Sequence, residues 1–324
     1  MVGISVSRLD HVLLRQAVSL SLAAGTPVCV EGGFRYIREN PAVQPLVADW
    51  ENALSQMNAG QFSGAGDDLI FTPGAVRYGN FSFVTGAYSS AVEIVLLLLP
   101  ALASREFRSS LTIKGATHAS ISHSTDFVRE TLFSYCEEAG IYASMALKRF
   151  GFYGSGGGIL ESKIYPREPR GAELRDGLAG IECAGARVYI AKHSSDIAKR
   201  QKEMLCDRLR LPDGKVGIIE VLDTDGYGNV IQIYCVHGSR MIVTYAIVDA
   251  YSHEGELMYS GNSAEHAVDD AVRRYESMMR RGKMPVELVR ELMPVYAVAN
   301  DRITVARDSG VIDDTFRIID AIFG

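Results

Sequence analysis

Apolar residues recur along the chain at helical and at strand spacing, and the order of the two predicts the fold. The first unit reads helix, strand, helix, strand, strand, at 9–24, 27–31, 43–57, 68–72 and 80–84. The same order returns at 89–103, 110–114, 126–139, 141–147 and 159–165. Helices on one face of a small mixed sheet bury one core per unit. The pattern therefore predicts an internal structural repeat.

From about residue 182 the pattern changes. A strand at 187–190 and a charged helix at 196–209 precede three short strands that read as a meander, at 215–222, 230–236 and 241–248. Helical spacing then returns at 264–280, 286–299 and 314–323, and a strand is predicted at 302–306. We expect an α/β (α+β) protein with three repeated helix-strand-helix-strand-strand units. They form a large domain, 1–181 plus 263–324, and a smaller α/β domain, 182–262, is inserted in the third repeat.

Composition narrows the classes of protein. The 324 residues are 47% hydrophobic and carry a net charge of −6, which lacks the broad basic surface of nonspecific nucleic-acid binders. The most apolar stretch, 91–103, is shorter than the ~20 residues that span a bilayer and contains Glu93 and Pro100. We expect a buried helix there, no membrane span and no secretory signal, hence an intracellular protein, cytoplasmic or nuclear.

Few side chains point to a metal. The five cysteines are scattered without a C-x-x-C pair, so the sequence suggests buried thiols and neither a disulfide framework nor a zinc site. No H-x-x-x-H pair is present. The run 223–229 resembles the start of a calcium loop but lacks the closing Glu, which favours a hairpin turn. We predict no metal ligands.

The run Phe150 to Gly158 contains five glycines between two predicted strands. It is a tight turn or an anion-binding loop whose amides face a phosphate, and the residue types leave both open. No Lys-Ser/Thr follows, as in a Walker loop, and no helix opens, as in a dinucleotide fingerprint.

Two further segments carry candidate chemistry. Arg35 and Arg38 flank an irregular stretch before the helix at 43–57, where they are solvated or hold an anion. His118 and His123 lie in the polar segment 115–126, which is a solvated loop or a catalytic one.

These segments resemble the RNA 3′-terminal phosphate cyclase family over most of the chain. That family's signature is Arg or His, Gly, two variable residues, Pro, a variable residue and three glycines. Gly151 and Gly156 to Gly158 fit, whereas Phe150 and Gly154 depart. Further matches are Leu14-Arg15 in the first helix, Arg35, Arg38 and Pro41, Gly115 to His118, Asp126 to Arg129 and Leu99 to Leu102. The resemblance implies three repeats with a domain inserted in the third.

The departures from the family affect its chemistry. Members form a covalent adenylate on a histidine near the C-terminus, and the matching position here is Val311. The N-terminal Gly-Glu-Gly-Gly-Gly-Gln run is replaced by Val6 to His11. The Asp-Gln pair of the penultimate helix is replaced by Val289-Arg290 or Arg290-Glu291.

The resemblance therefore implies a non-cyclising relative that binds RNA or acts as a scaffold in RNA processing or ribosome assembly. Protein partners are compatible with that role, and a nucleotide with Mg²⁺ would be needed if the family chemistry is retained. Candidate substrate-binding residues are Arg15, Arg35, Arg38, Tyr153 and Gly156, Gly157 and Gly158. The alternative is an enzyme with relocated chemistry, either ATP-dependent RNA 3′-end modification or small-molecule transfer, in which His11, His118 and His123 converge on the same cleft.

Overall fold

The first sheet and its helices come from residues 2–73. The computed structural model describes residues 1–168, 170–256, 258, 261–307 and 309–324. The first elements are β1 Val2–Ile4, α1 His11–Ala24, β2 Val28–Val30, α2 Gly33–Glu39, α3 Gln44–Gln56, β3 Gly60–Ala65 and β4 Asp68–Pro73. The strand order is β1-β2-β4-β3, with β1 parallel to β2 and the other two pairs antiparallel. Helix α1 begins at Asp10, whose carboxylate accepts from the Leu13 amide, and ends at Gly25 in the left-handed conformation.

A second sheet of the same topology follows. Its elements are β5 Asn80–Val84, α4 Ala91–Ala103, β6 Ser109–Gly115, a π-helical segment Phe127–Leu132 that continues into α5 Phe133–Cys136, β7 Ala143–Arg149 and β8 Gly158–Ile164. The order is β5-β6-β8-β7, again with one parallel pair followed by two antiparallel pairs. All of α4 is buried, and it packs against α1.

Three local predictions are wrong. The segment 80–84 opens the second sheet instead of closing the first. Strands β1 and β3 were missed because β1 has three residues and no residue of β3 is fully buried, so neither shows an apolar alternation. The stretch around Arg35 and Arg38 is the short helix α2.

The remaining chain forms two more sheets. Its elements are β9 Glu173–Arg175, β10 Glu182–Ala191, α6 Ser195–Leu209, β11 Val216–Glu220, β12 Gly228–His237, β13 Arg240–Asp249, α7 Gly261–Arg281, α8 Val286–Ala299, β14 Arg302–Thr304 and α9 Gly310–Phe323. Strands β9 and β14 pair in parallel. The third repeat stays a prediction, because this sheet has two strands among the described residues.

The other sheet has the order β11-β10-β12-β13. Strand β11 pairs in parallel with β10, on the opposite side from β12. The predicted meander is therefore right for the β12–β13 hairpin and wrong for β11. The run 223–229 connects two strands that are not neighbours, so it is not the hairpin turn that was expected.

The three C-terminal helices divide between the two parts of the molecule. Helix α7 packs on β12, β13 and α6, whereas α8 and α9 pack on α1. The proposed domain boundary at 263 stays a prediction, and these contacts associate α7 with the β10–β13 sheet. Among the described helices, none is both long enough and apolar enough to cross a membrane.

Candidate functional site

A buried cluster of charges lies where α1, α4 and α8 meet. Arg15 Nε is 2.9 Å from Glu93 Oε2, and Arg15 Nη2 is 2.5 Å from Glu291 Oε1. The three side chains are 2%, 1% and 4% exposed. Burial disfavours the charged Glu291, but Arg15 and His123 outweigh it and hold its pKa well below its usual range. Glu291 is therefore ionised, and Arg15 lies between its carboxylate and that of Glu93.

His123 completes this cluster. Its Nε2 is 2.9 Å from Glu291 Oε1 and its Nδ1 is 2.6 Å from the Tyr245 hydroxyl. The ring also stacks on Phe127 at a centroid distance of 4.7 Å. Because both ring nitrogens have internal partners, His123 is held as part of the core.

The cluster leaves almost no space for a ligand. The cavity beside Arg15 and Glu291 has a volume of about 10 Å³, close to the least that can hold one water molecule. Arg15 was expected to share an anion-binding cleft with Arg35 and Arg38, and this expectation is wrong. Arg15 is enclosed by carboxylates, whereas the side chains of Arg35 and Arg38 are each 58% exposed.

The N-terminal segment, α8 and α9 come together next to this cluster. The Ser7 amide donates to Asp314 Oδ1 at 2.8 Å, and the Ser7 hydroxyl donates to Asp314 Oδ2 at 2.7 Å. Asp10 accepts from Arg290 Nη2 at 2.8 Å. The N-terminal segment and α8, which match segments that carry catalytic groups in the family, are thus neighbours. Asp10 and Arg290, which replace the family's residues there, form an ion pair.

Val311 lies in the first turn of α9, one turn before Asp314, and is half-buried. His11 is the first residue of α1 and is also half-buried. Burial is the main reason that the pKa of His11 is lowered, while Glu93 and Asp10 act in the opposite direction. The carboxylates that act on His11 are thus those of Glu93 and Asp10, whereas His123 contacts Glu291.

A cavity of about 310 Å³ opens beside the N-terminal segment. It is lined by Ser5, Val6, Ser7, Leu9, Glu31, Gly32, Arg35, Tyr36 and Glu39. Its lining includes one arginine, Arg35, and two glutamates, Glu31 and Glu39. Arg35 and Arg38 also share the Asp67 carboxylate, with Arg35 Nη1 3.9 Å from Asp67 Oδ2 and Arg38 in direct contact. The two arginines therefore form an exposed pair around one acidic residue.

His118 lies away from the other two histidines. It is 2% exposed, its Nδ1 is 3.0 Å from Thr117 Oγ1, and its ring stacks on Phe150 at 5.0 Å. Burial lowers its pKa to about 4, although the nearby Asp126 opposes this shift. Convergence of the three histidines on one cleft stays a prediction, and the burial of His118 and His123 opposes it.

The glycine run connects β7 to β8, and the close approach it permits is to the protein itself. A Cβ at Gly151 would lie 2.4 Å from the Gly115 carbonyl oxygen, and one at Gly157 would lie 2.2 Å from Asp225 Oδ2. Arg149 binds Asp225 through two nitrogens, each at 2.9 Å, and donates to the Gly157 carbonyl. Phosphate binding by Gly156 to Gly158 stays a prediction, and the Asp225 carboxylate opposes it.

Tyr153 lines the largest of the described cavities, about 470 Å³, between this loop and the β10–β13 sheet. Asp249 also lines this cavity, and burial raises its pKa to about 6. The described residues contain no group of three or more His, Cys, Asp or Glu side chains that could hold a metal ion.

The sequence analysis missed Glu93 as a functional residue. The sequence did contain an indication, because Glu93 is the one charged residue of an otherwise apolar helix, and a buried carboxylate requires a partner. The partner itself, Arg15, is 78 positions away and was assigned to an anion instead.

The fold and the cleft together define a class of protein: an α/β protein built from similar sheets, with a site where the N-terminal segment meets the C-terminal helices. A family model described as RNA 3′-terminal phosphate cyclase matches residues 10–324. The RNA 3′-terminal phosphate cyclase of Ralstonia nicotianae is 28% identical over 269 residues, covering 81% of this chain and 74% of that protein. That of Pseudomonas fluorescens is 27% identical over 274 residues, covering 79% of each chain.

The chain therefore belongs to the RNA 3′-terminal phosphate cyclase family. Among solved structures, the enolpyruvyl transferase NikO from Streptomyces tendae matches with a TM-score of 0.32 and 14% identity. This match covers 52% of the present chain and 34% of the other, which is too slight for any conclusion.

Proposed function

We propose that this family member binds RNA without forming a covalent adenylate near its C-terminus. The main support is the Val311 position at the start of α9, with the ion pair of Asp10 and Arg290 beside it. A histidine nucleophile must lie about 3–3.5 Å from the α-phosphorus, in line with the leaving group. The isopropyl group of Val311 has no lone pair to offer.

The residues around this cleft also fit ATP and Mg²⁺ poorly. The cavity next to the N-terminal segment has one arginine and two glutamates in its walls. Carboxylates repel a triphosphate unless a cation lies between them. No three-ligand metal group is found in the part of the chain that is described.

The first experiment tests adenylation. Wild type and Val311→His are incubated with α-labelled ATP and divalent metal, denatured and examined for label on the protein. We expect none on either, because groups that act as a unit do not restore activity singly. Acid-labile label on the wild type would overturn the proposal and favour the alternative with relocated chemistry.

RNA binding is assigned to Arg35 and Arg38, the exposed pair next to this cavity. Planar guanidinium groups bind phosphate through two hydrogen bonds, and each phosphate contact adds to the salt dependence. We expect Arg35→Ala/Arg38→Ala to weaken binding of a single-stranded RNA about tenfold or more and to lower its salt slope by about one to two.

The matched control is Arg200→Ala/Arg208→Ala on α6. These arginines are also exposed and also ion-paired, with Glu265 and Asp269. Fluorescence anisotropy over a salt series gives affinity and slope for both variants. If the two double variants lose affinity equally, only net charge matters and the assignment fails.

A further inference from the structure

Cys183 and Cys235 are far apart in sequence but directly opposite each other in the β10–β13 sheet. Antiparallel pairing of β10 with β12 sets Cys183 against Cys235. Opposed residues in such a pair have Cα atoms about 4.5 or 5.5 Å apart, and both values lie inside the range of about 4.4–6.8 Å that a disulfide requires. The strand register alone therefore permits a bond between the two sulfurs.

The register shifts immediately after Cys183. The next paired residue is Gly185, opposite Tyr234, so one extra residue bulges from β10. Bulges redirect a side chain and loosen the local ladder. This freedom matters because bond formation must draw two opposed sulfurs together without breaking the sheet.

The two thiols are in unequal environments. Cys235 is fully buried, whereas Cys183 is half-buried at the edge of the core. Hydrogen bonding from the Cys235 thiol, the Gly185 amide and the Tyr275 hydroxyl of α7 acts to lower the pKa of Cys183. Three donors around one sulfur stabilise a thiolate.

The pKa of the more exposed Cys183 is lowered and that of the buried Cys235 is raised. The hydrogen bond from Cys235 is the largest of the effects that lower the pKa of Cys183 to about 7. The same bond and burial raise the pKa of Cys235. Burial also raises the pKa of Cys29 and Cys206, which are half-buried like Cys183.

We propose that Cys183 and Cys235 form a dithiol–disulfide site that reacts with hydroperoxides, with Cys183 oxidised first and Cys235 as the resolving thiol. In the first step the Cys183 thiolate attacks a peroxide oxygen. The S–O bond forms, the O–O bond breaks, and hydroxide or alkoxide leaves and takes a proton from solvent.

In the second step the Cys235 sulfur attacks the Cys183 sulfenic acid. The S–S bond forms, the S–O bond breaks, and the Cys235 proton leaves with the hydroxyl group as water. In total the two thiols lose two protons and two electrons, which reduce one hydroperoxide to water and an alcohol, or to two waters.

The test uses the full reduced chain, treated with hydrogen peroxide and mapped by mass spectrometry without reduction. We expect a peptide pair joined through Cys183 and Cys235, while Cys29 and Cys206 stay as thiols at the same dose. In Cys235→Ser, dimedone should trap a sulfenic acid on Cys183. In Cys183→Ser, Cys235 should stay reduced.

Two further variants separate this site from general oxidation. Cys206→Ser removes a half-buried thiol elsewhere and should leave the cross-link unchanged. Tyr275→Phe removes one donor and should slow oxidation of Cys183 about three- to tenfold. Absence of the 183–235 cross-link in the wild type, or equal oxidation of Cys29, Cys206 and Cys183, would overturn the proposal.

Discussion

His118 illustrates how the core determines the chemistry available to one residue. Its ring lies between Thr117 and the aromatic rings of Phe150 and Phe152. The sequence offered this histidine as an acid–base group, since it follows a strand in a polar segment. In the folded protein it is a neutral aromatic ring of the core.

The pKa of His118 predicts a pH dependence of stability. The folded pKa is about 4, and an unfolded histidine titrates near about 6.5. Between these values the unfolded chain binds a proton that the folded chain does not, so stability falls as the pH drops through this window. We expect His118→Gln to remove a loss of about 2–3 kcal/mol between pH 6.5 and 4.

The measurement is urea unfolding of both proteins at several pH values. Comparing variant with wild type is essential, because Asp249 has a raised pKa of about 6 and contributes with the opposite sign. His253→Gln, at an exposed histidine, is the control. Parallel pH profiles for wild type and His118→Gln would contradict the prediction.

At the level of residues, the sequence identified positions better than it identified partners. Val311 and Arg290 were found by comparing motifs, and they lie on α9 and α8, the two helices that bond to the N-terminal segment. The partners of Arg15 and His123 could not be found, because burial and ion pairing depend on which helices meet in three dimensions. A buried arginine between carboxylates and an exposed arginine beside a phosphate look alike in a sequence.

Among the elements, the β7–β8 connection offers the clearest test. Gly157 has φ of +73°, and a Cβ there would overlap the Asp225 carboxylate that Arg149 binds. We expect Gly157→Ala to destabilise the protein by more than the ~1 kcal/mol that backbone strain alone costs, because the Asp225 carboxylate must also move.

Gly180→Ala is the matched control for this loop. Gly180 has φ of +72° but no atom within 4 Å of a built Cβ. It should therefore show the backbone cost alone, about 1 kcal/mol. Equal values of the free energy of unfolding for the two variants would mean that the contact with Asp225 adds no stability.

The elements were predictable where their apolar pattern was long. The helix predicted at 286–299 has the bounds of α8, and the strand predicted at 80–84 those of β5. Short or two-sided polar strands such as β3 carry too little apolar signal, since an edge strand needs only backbone pairing and one packed face. Sheet order was also out of reach, because which strands become neighbours is decided by long-range packing.

For the whole molecule, experiment can decide whether α7 belongs with the β10–β13 sheet or with the large domain. Its contacts with β12, β13 and α6 predict that it unfolds together with the β10–β13 sheet. We expect native-state hydrogen exchange in low denaturant to expose amides of α7 with those of β12, and later those of α8. Protection of α7 that follows α8 would instead support a boundary at 263.

The helices α1, α4 and α8 each lie in the connection of a parallel strand pair, and all three touch one another. Arg15, Glu93 and Glu291 come one from each helix. If the three helices were copies of one ancestor, this junction would begin with three identical side chains. Three like charges in a dry core repel each other strongly. If the helices are copies, a charged junction obliges them to diverge until it holds charges of both signs, as this one does.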